Sequence, residues 1–104
     1  MSGVPASTPE QRAHALEQAA AARRVRAEVK ELLKTGSLTL AELFNRAESE
    51  EFIGGLKVES VLQSLPGMGK IKAKRLLESL EIAPNRRLRG LGDRQRSALL
   101  AQAG

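Results

Sequence analysis

The sequence predicts an all-α fold: a long N-terminal helix followed by a compact four-helix domain. Three observations carry this. No segment shows the period-2 alternation of β-branched residues that marks a half-buried strand. Two capping boxes, Thr8-Pro9-Glu10-Gln11 and Thr39-Leu40-Ala41-Glu42, each open a run with helical spacing of apolar residues. Glycine and proline cluster between these runs, where helices stop, and not within them.

Residues 1–8 (MSGVPAST) are small, polar and Pro-interrupted, which predicts a disordered N-terminus ending at Thr8. Thr8 is itself the first helix's cap, Pro9 occupies the position where a missing N–H costs nothing, and Gln11 closes the box. The helix should run to about Thr35, with Gly36 as its left-handed stop. Thr39 and Glu42 box the second helix, and Leu38 and Leu43 stand at the two positions of a hydrophobic staple. That helix ends in the acidic stretch Glu48-Ser49-Glu50-Glu51, and Gly54-Gly55 breaks the chain. Lys57 to Leu65 forms a third helix. Pro66-Gly67-Met68-Gly69 turns tightly into a fourth, from about Lys70 to Ile82. Ala83 to Gly92 is a loop, and Asp93 to Ala103 is the last helix, with Asp93 as its cap or first-turn residue.

Composition removes whole classes of function. The chain has 104 residues, one domain's worth, with Phe44 and Phe52 as its two aromatics, so the core is aliphatic. There is no cysteine and one histidine, His14. Disulfide frameworks, thiolate metal sites, a cysteine nucleophile and a Ser-His-Asp triad are thereby excluded, and neither metal nor cofactor is expected. No apolar run approaches the roughly 20 residues that span a bilayer, and no signal peptide opens the chain. The composition is that of a soluble intracellular protein with no membrane partner. The formal charge is +5, from 17 basic and 12 acidic residues. Residues 1–59 carry eight basic and nine acidic side chains and residues 60–104 nine and three, so the excess lies wholly in the C-terminal part.

At 100° per residue the first helix has three faces. Arg12, Arg23, Arg26, Lys30 and Lys34 fall within about 80° of one another. Glu10, Glu17, Glu28 and Glu31 occupy a second face with Arg24. Ala22, Val25, Val29, Leu32 and Leu33 make an apolar third face that begins only at about Ala22. Residues 22–35 should therefore dock on the domain, giving a globular part 22–104. Residues 9–21, alanine-rich with Leu16 as the single large apolar side chain, should project from it. The segregated basic stripe reads as a rail for phosphates, against the alternative of a solvated face laced with weak salt bridges.

The stretch Leu65-Pro66-Gly67-Met68-Gly69-Lys70-Ile71-Lys72-Ala73-Lys74-Arg75 is the most informative. Gly67 and Gly69 allow backbone angles and approaches that a Cβ blocks, and Met68 can turn inward as a plug. The helix that follows opens with unpaired N–H groups at the positive end of its dipole, a natural place for a phosphate oxygen. Lys70, Lys72, Lys74 and Arg75 add four cations before the first acid, Glu78. Ala73, Leu76, Leu77 and Leu80 form the buried stripe, and Ile71 lies opposite it, either under the first helix or toward a ligand. The pattern resembles the helix-hairpin-helix motif that grips a DNA backbone; the spacing and absent strand exclude a P-loop.

Ala83 to Arg96 holds five arginines, Arg86, Arg87, Arg89, Arg94 and Arg96, with Leu88 and Leu91 placed to pin the loop to the core. Arginine's planar fork binds phosphate bidentately and enters narrow minor grooves.

The run Arg86-Arg87-Leu88-Arg89-Gly90-Leu91-Gly92-Asp93-Arg94-Gln95-Arg96, the Leu-Pro-Gly-Met-Gly-Lys hairpin at 65–70 and the Ala-Ala-Ala-Arg-Arg segment at 20–24 together resemble the actinobacterial integration host factor family. The resemblance spans the chain from about Pro9. It implies a helix-two-turn-helix domain and a monomeric nucleoid-associated protein of the cytoplasm. Such a protein binds and bends duplex DNA with little sequence preference and supports site-specific recombination by a phage integrase. It further implies that Pro66 sits at a DNA-facing hairpin, to which the reading of the residues adds Gly67, Gly69, Lys70, Lys72 and Lys74. Arg86, Arg87 and Arg89 would contact the minor groove or nearby phosphates, with the first helix as a further contact surface; Arg94 and, on the basic stripe, Arg23, Arg26 and Lys30 are the candidates that the residues themselves add. An RNA-binding or ribosome-associated role competes, weakened by the scarcity of aromatics for stacking on bases. Base excision on the same scaffold needs a flipping pocket and a positioned acid, for which Glu78, Glu81 and Asp93 are poor material, so the chain is read as no enzyme.

Overall fold

The computed structural model describes residues 8–104; of the expected disordered N-terminus, residues 1–7 lie outside them, and Thr8 is held as the cap of the first helix. Helix α1 (Pro9–Thr35) is followed by α2 (Leu40–Ser49), α3 (Glu51–Gly54), α4 (Val58–Gln63), α5 (Gly69–Ser79), a 3-10 turn at Leu88–Gly90 and α6 (Asp93–Ala103). The fold is all-α, with no strand among the described residues; residues 57 and 87 pair as one isolated antiparallel bridge.

Both capping boxes form. The Gln11 amide donates to Thr8 Oγ1 at 3.0 Å and the Thr8 amide to Gln11 Oε1 at 2.9 Å. The Glu42 amide donates to Thr39 Oγ1 at 3.1 Å and the Thr39 amide to Glu42 Oε1 at 2.9 Å. The Thr39 amide, and after it the Thr39 hydroxyl, favour the ionised carboxylate and hold the Glu42 carboxyl below the usual range. Gly36 stops α1 at φ 76°. Leu38 and Leu43 are both buried, as a staple requires.

Three boundaries differ from expectation. The acidic stretch does not simply end α2: Glu50 is an extended hinge, pinned by Arg46 Nε at 2.8 Å, and a single extra helical turn, α3, follows. Its amides at Ile53 and Gly54 both return to the Glu50 carbonyl, at 3.1 and 2.9 Å. Helix α4 is shorter than the expected 57–65, because Ser64 and Leu65 close into tight turns on Val61 and Leu62. Helix α5 stops at Ser79 and not near Ile82, because Glu81 takes the left-handed conformation (φ 57°). The Ile82 amide then reaches back to the Leu77 carbonyl at 2.9 Å, a helix stop normally built on glycine. A glutamate there carries a left-handed penalty of roughly 1–2 kcal/mol, of which glycine's extra unfolded-state entropy offsets part. Glu81→Gly is therefore expected to stabilise the fold by up to about 1 kcal/mol, read as a raised urea midpoint at unchanged m-value.

The core is aliphatic. Val29 and Leu33 from α1, Leu40, Leu43 and Phe44 from α2, Ile53 from α3, Val58, Val61 and Leu62 from α4, and Ala73 and Leu77 from α5 are all buried. Leu88, Leu91 and Leu99 join them, so the arginine loop is nailed to the core by its two leucines. Residues 9–19 of α1 are exposed throughout and partial burial begins at Ala20; Leu16 is 69% exposed. A straight 27-residue helix is about 40 Å long, most of the molecule's 49 Å longest dimension.

Candidate nucleic-acid interface

The site begins with a main-chain pairing far apart in sequence. The Val58 amide donates to the Arg86 carbonyl at 2.8 Å and the Leu88 amide to the Leu56 carbonyl at 2.9 Å, which clamps the arginine loop to the segment entering α4. Lys57 and Arg87 are brought side by side as the bridge pair. Arg87 Nη1 also donates to the Gly55 carbonyl, so the guanidinium is held at one end and keeps its other donors free. Arg86 Nη1 donates to the Gly90 carbonyl at 2.9 Å, closing the loop on itself.

This clamp faces the middle of α1. Arg26, Lys30, Gly55, Leu56, Lys57, Ser60 and Arg87 line a cleft of about 410 Å³. Its four cations come from three separate stretches of chain, and its lining holds no carboxylate. A neighbouring cleft of about 210 Å³ shares Arg26, Gly55, Leu56 and Arg87 and adds Phe52, Arg89 and one carboxylate, Glu51. The structure thus gathers Arg26, Lys30, Arg87 and Arg89 into one basic concavity, with Arg86 adjoining.

The hairpin forms a second basic segment, reached through α4. Gly67 and Gly69 have φ of 75° and 70°, and a Cβ on either would meet nothing within 4 Å. The turn needs glycine for its backbone angles, and the space above it is open. Met68 is half-buried against the core, in the plug position. Helix α5 starts with no side-chain cap, leaving its N-terminal amides free to meet an anion. Pro66, Lys70, Lys72, Lys74 and Arg75 are exposed, with Ala73 and Leu77 buried behind them. Ile71 is 69% exposed, so it does not pack under α1. Neither cleft is lined by the hairpin.

Arg23 and Arg94 are exposed and line neither cleft. Arg96 is engaged internally, with Nη1 at 3.2 Å from Glu48 and Nη2 at 3.6 Å from Asp93, so the fifth arginine of the loop region ties α6 to α2. Asp93 is the first residue of α6 and not its cap; Gly92 is the cap, its amide donating to Gln95 Oε1 at 3.0 Å. Among the described residues no ion pair involves α1, so its segregated cations are not tied up in salt bridges.

Lys57 and Ser60 belong to the basic cleft without having been nominated by sequence reasoning. Lys57 is a lone cation beside a Gly-Gly break, and only its pairing with Arg87 across thirty residues of chain gives it a place. No local pattern carries that information.

Comparison with known proteins fits this architecture. The S13-like H2TH domain family matches residues 33–103. The integration host factor of Mycobacterium tuberculosis is 56% identical over 97% of this chain and 96% of its own length. That of Mycolicibacterium smegmatis is 57% identical over 93% and 92%, and that of Streptomyces coelicolor 50% over 97% and 94%. A solved structure of sIHF bound to an 8-bp palindromic DNA superposes with a TM-score of 0.81 at 46% identity, over 85% of this chain and 99% of that one. With a helix-two-turn-helix domain, a long leading helix and near full-length identity to these proteins, the chain belongs to the integration host factor family of mycobacteria and streptomycetes.

Proposed function

We propose that the protein is an architectural component of the nucleoid, in the cytoplasm: a monomer that binds duplex DNA with little sequence preference, bends it, and assists a phage integrase in site-specific recombination. It is not an enzyme. The observation that carries the reading is the cleft of Arg26, Lys30, Lys57 and Arg87, four cations converging with no acid among them. The DNA held by the related sIHF supports it.

In this reading Arg86, Arg87, Arg89 and Arg94 approach the minor groove and its flanking phosphates. The open turn at Pro66, Gly67 and Gly69, with Lys70, Lys72 and Lys74, receives the backbone. Arg23, Arg26 and Lys30 extend the contact along α1. Bending costs on the order of a few kcal/mol and is repaid by the further phosphates it brings to these cations. Nothing in the structure favours an RNA-binding role: Phe44 is buried and Phe52 half-buried, so neither offers an open face to an unpaired base.

The test is a salt titration of affinity for a random duplex, with duplex RNA and single strands of equal length as competitors. Log affinity should fall by about 0.9 per phosphate neutralised for each unit of log salt. For a footprint of roughly six phosphates, this is about a thousandfold between roughly 50 and 200 mM salt. DNA should also slow amide exchange over residues 9–19. A flat salt dependence, or equal competition by single strands, overturns the proposal.

A further inference from the structure

The cleft between α1 and the clamp has a shape that the gripping of a duplex does not require. A rail of exposed side chains suffices to follow a sugar-phosphate backbone, in which each phosphodiester carries a single charge and successive charges on one strand are about 3.4 Å apart along the axis. Here Arg26, Lys30, Lys57 and Arg87 surround one concavity, with the Ser60 hydroxyl in its wall. One phosphodiester neutralises a quarter of that charge. The volume of about 410 Å³ falls in the range of small-molecule sites, roughly 300–1,000 Å³. Part of the wall is set in advance: the main-chain bridge fixes the backbone of Lys57 beside that of Arg87, and the Arg87 guanidinium is anchored on the Gly55 carbonyl.

An anion that satisfies four cations in one cleft must concentrate its charge, as a chain of two or three phosphates does. We propose that this cleft binds the polyphosphate group of a small phosphorylated molecule, of the nucleoside di- or triphosphate class, and that its occupancy competes with DNA. The adjoining cleft shares Arg26 and Arg87 and adds Arg89, whose planar fork can meet the nucleoside while its phosphates fill the first. The inference goes beyond the DNA reading and shares its cations. DNA occupancy of the protein would then fall as such molecules accumulate.

The experiment uses the full chain without DNA, at a fixed ionic strength near that of the cell. Tripolyphosphate, ATP, AMP and sulfate are titrated by calorimetry and by amide chemical shifts. Tripolyphosphate and ATP should bind saturably, with shifts centred on Gly55, Lys57, Ser60 and Arg87, and AMP and sulfate about ten-fold or more weakly. ATP tighter than tripolyphosphate assigns the second cleft to the nucleoside; equal affinity confines the site to the phosphates. Lys57→Gln and, independently on α1, Arg26→Gln should each weaken tripolyphosphate about ten-fold, whereas Arg24→Gln, the same loss of charge on the acidic face, should not. Sulfate binding as tightly as tripolyphosphate, or all three variants weakening it alike, overturns the inference. Duplex affinity measured on the same samples keeps the two readings apart. Tripolyphosphate bound without duplex defeats the DNA proposal alone, and duplex bound without tripolyphosphate defeats this one alone.

Discussion

Arg87→Ala is expected to weaken duplex binding by roughly ten- to a hundred-fold, the worth of one or two charge-assisted hydrogen bonds, while leaving the fold intact. Arg87 is exposed and its guanidinium's internal bond goes to the Gly55 carbonyl, which water can take over once the side chain is gone. The loss in stability should therefore stay within about 0.5 kcal/mol. The salt slope should become shallower by about 0.9 for each phosphate that is no longer neutralised. Arg87→Lys keeps the charge but loses the fork that binds the Gly55 carbonyl and a phosphate together, so it should recover part of the affinity and not all of it. Fluorescence anisotropy on a labelled duplex gives the affinities, and circular dichroism gives the helicity. A large loss of helicity in Arg87→Ala would reassign the residue to the structure.

Gly54→Ala acts on the opposite side of the balance, costing stability first. Gly54 is buried where α3 turns against α2, and a Cβ there would lie 2.9 Å from the Ala47 carbonyl oxygen and 3.3 Å from the Arg89 Cβ. The first neighbour is main chain and cannot rotate away, so α3 must shift. Overpacking of this kind costs about 1–3 kcal/mol, and each kcal/mol lowers Tm by roughly 4–8 °C in a domain of this size. The displaced Arg89 should also lower duplex affinity, a coupling that a purely structural glycine far from the loop would not show. Gly55→Ala is the internal control. Its nearest neighbour is the Glu51 carbonyl oxygen at 3.5 Å and its φ is −82°, so alanine should fit at little cost. A Gly54→Ala protein as stable as the parent would mean that the α2–α3 junction is looser than the packing implies.

The two glycines stand side by side in the sequence and read alike there, as a chain break. Only the neighbours separate them, a carbonyl from α2 pressing on one and no more than ordinary van der Waals contact at the other. The same contrast recurs at Arg96 and Arg87. Both belong to one arginine-rich run, yet Glu48, distant in sequence, takes Arg96 into an internal ion pair, while the bridge to Lys57 turns Arg87 into the cleft. Glu81 shows it once more, since a left-handed helix stop without glycine leaves no mark in the residue type.

What the residues alone determined were the features that act within one or two helical turns. The capping boxes at Thr8 and Thr39, the stop at Gly36, the turn at Gly67 and Gly69, the start of α6 at Asp93 and the segregation of α1 into faces all follow from hydrogen bonds and sterics between near neighbours. What the tertiary structure decided was which of the many cations converge. That depends on main-chain pairing between Leu56–Val58 and Arg86–Leu88 and on the burial of Leu88 and Leu91, contacts whose partners lie some thirty residues apart and whose registration comes from packing in the core.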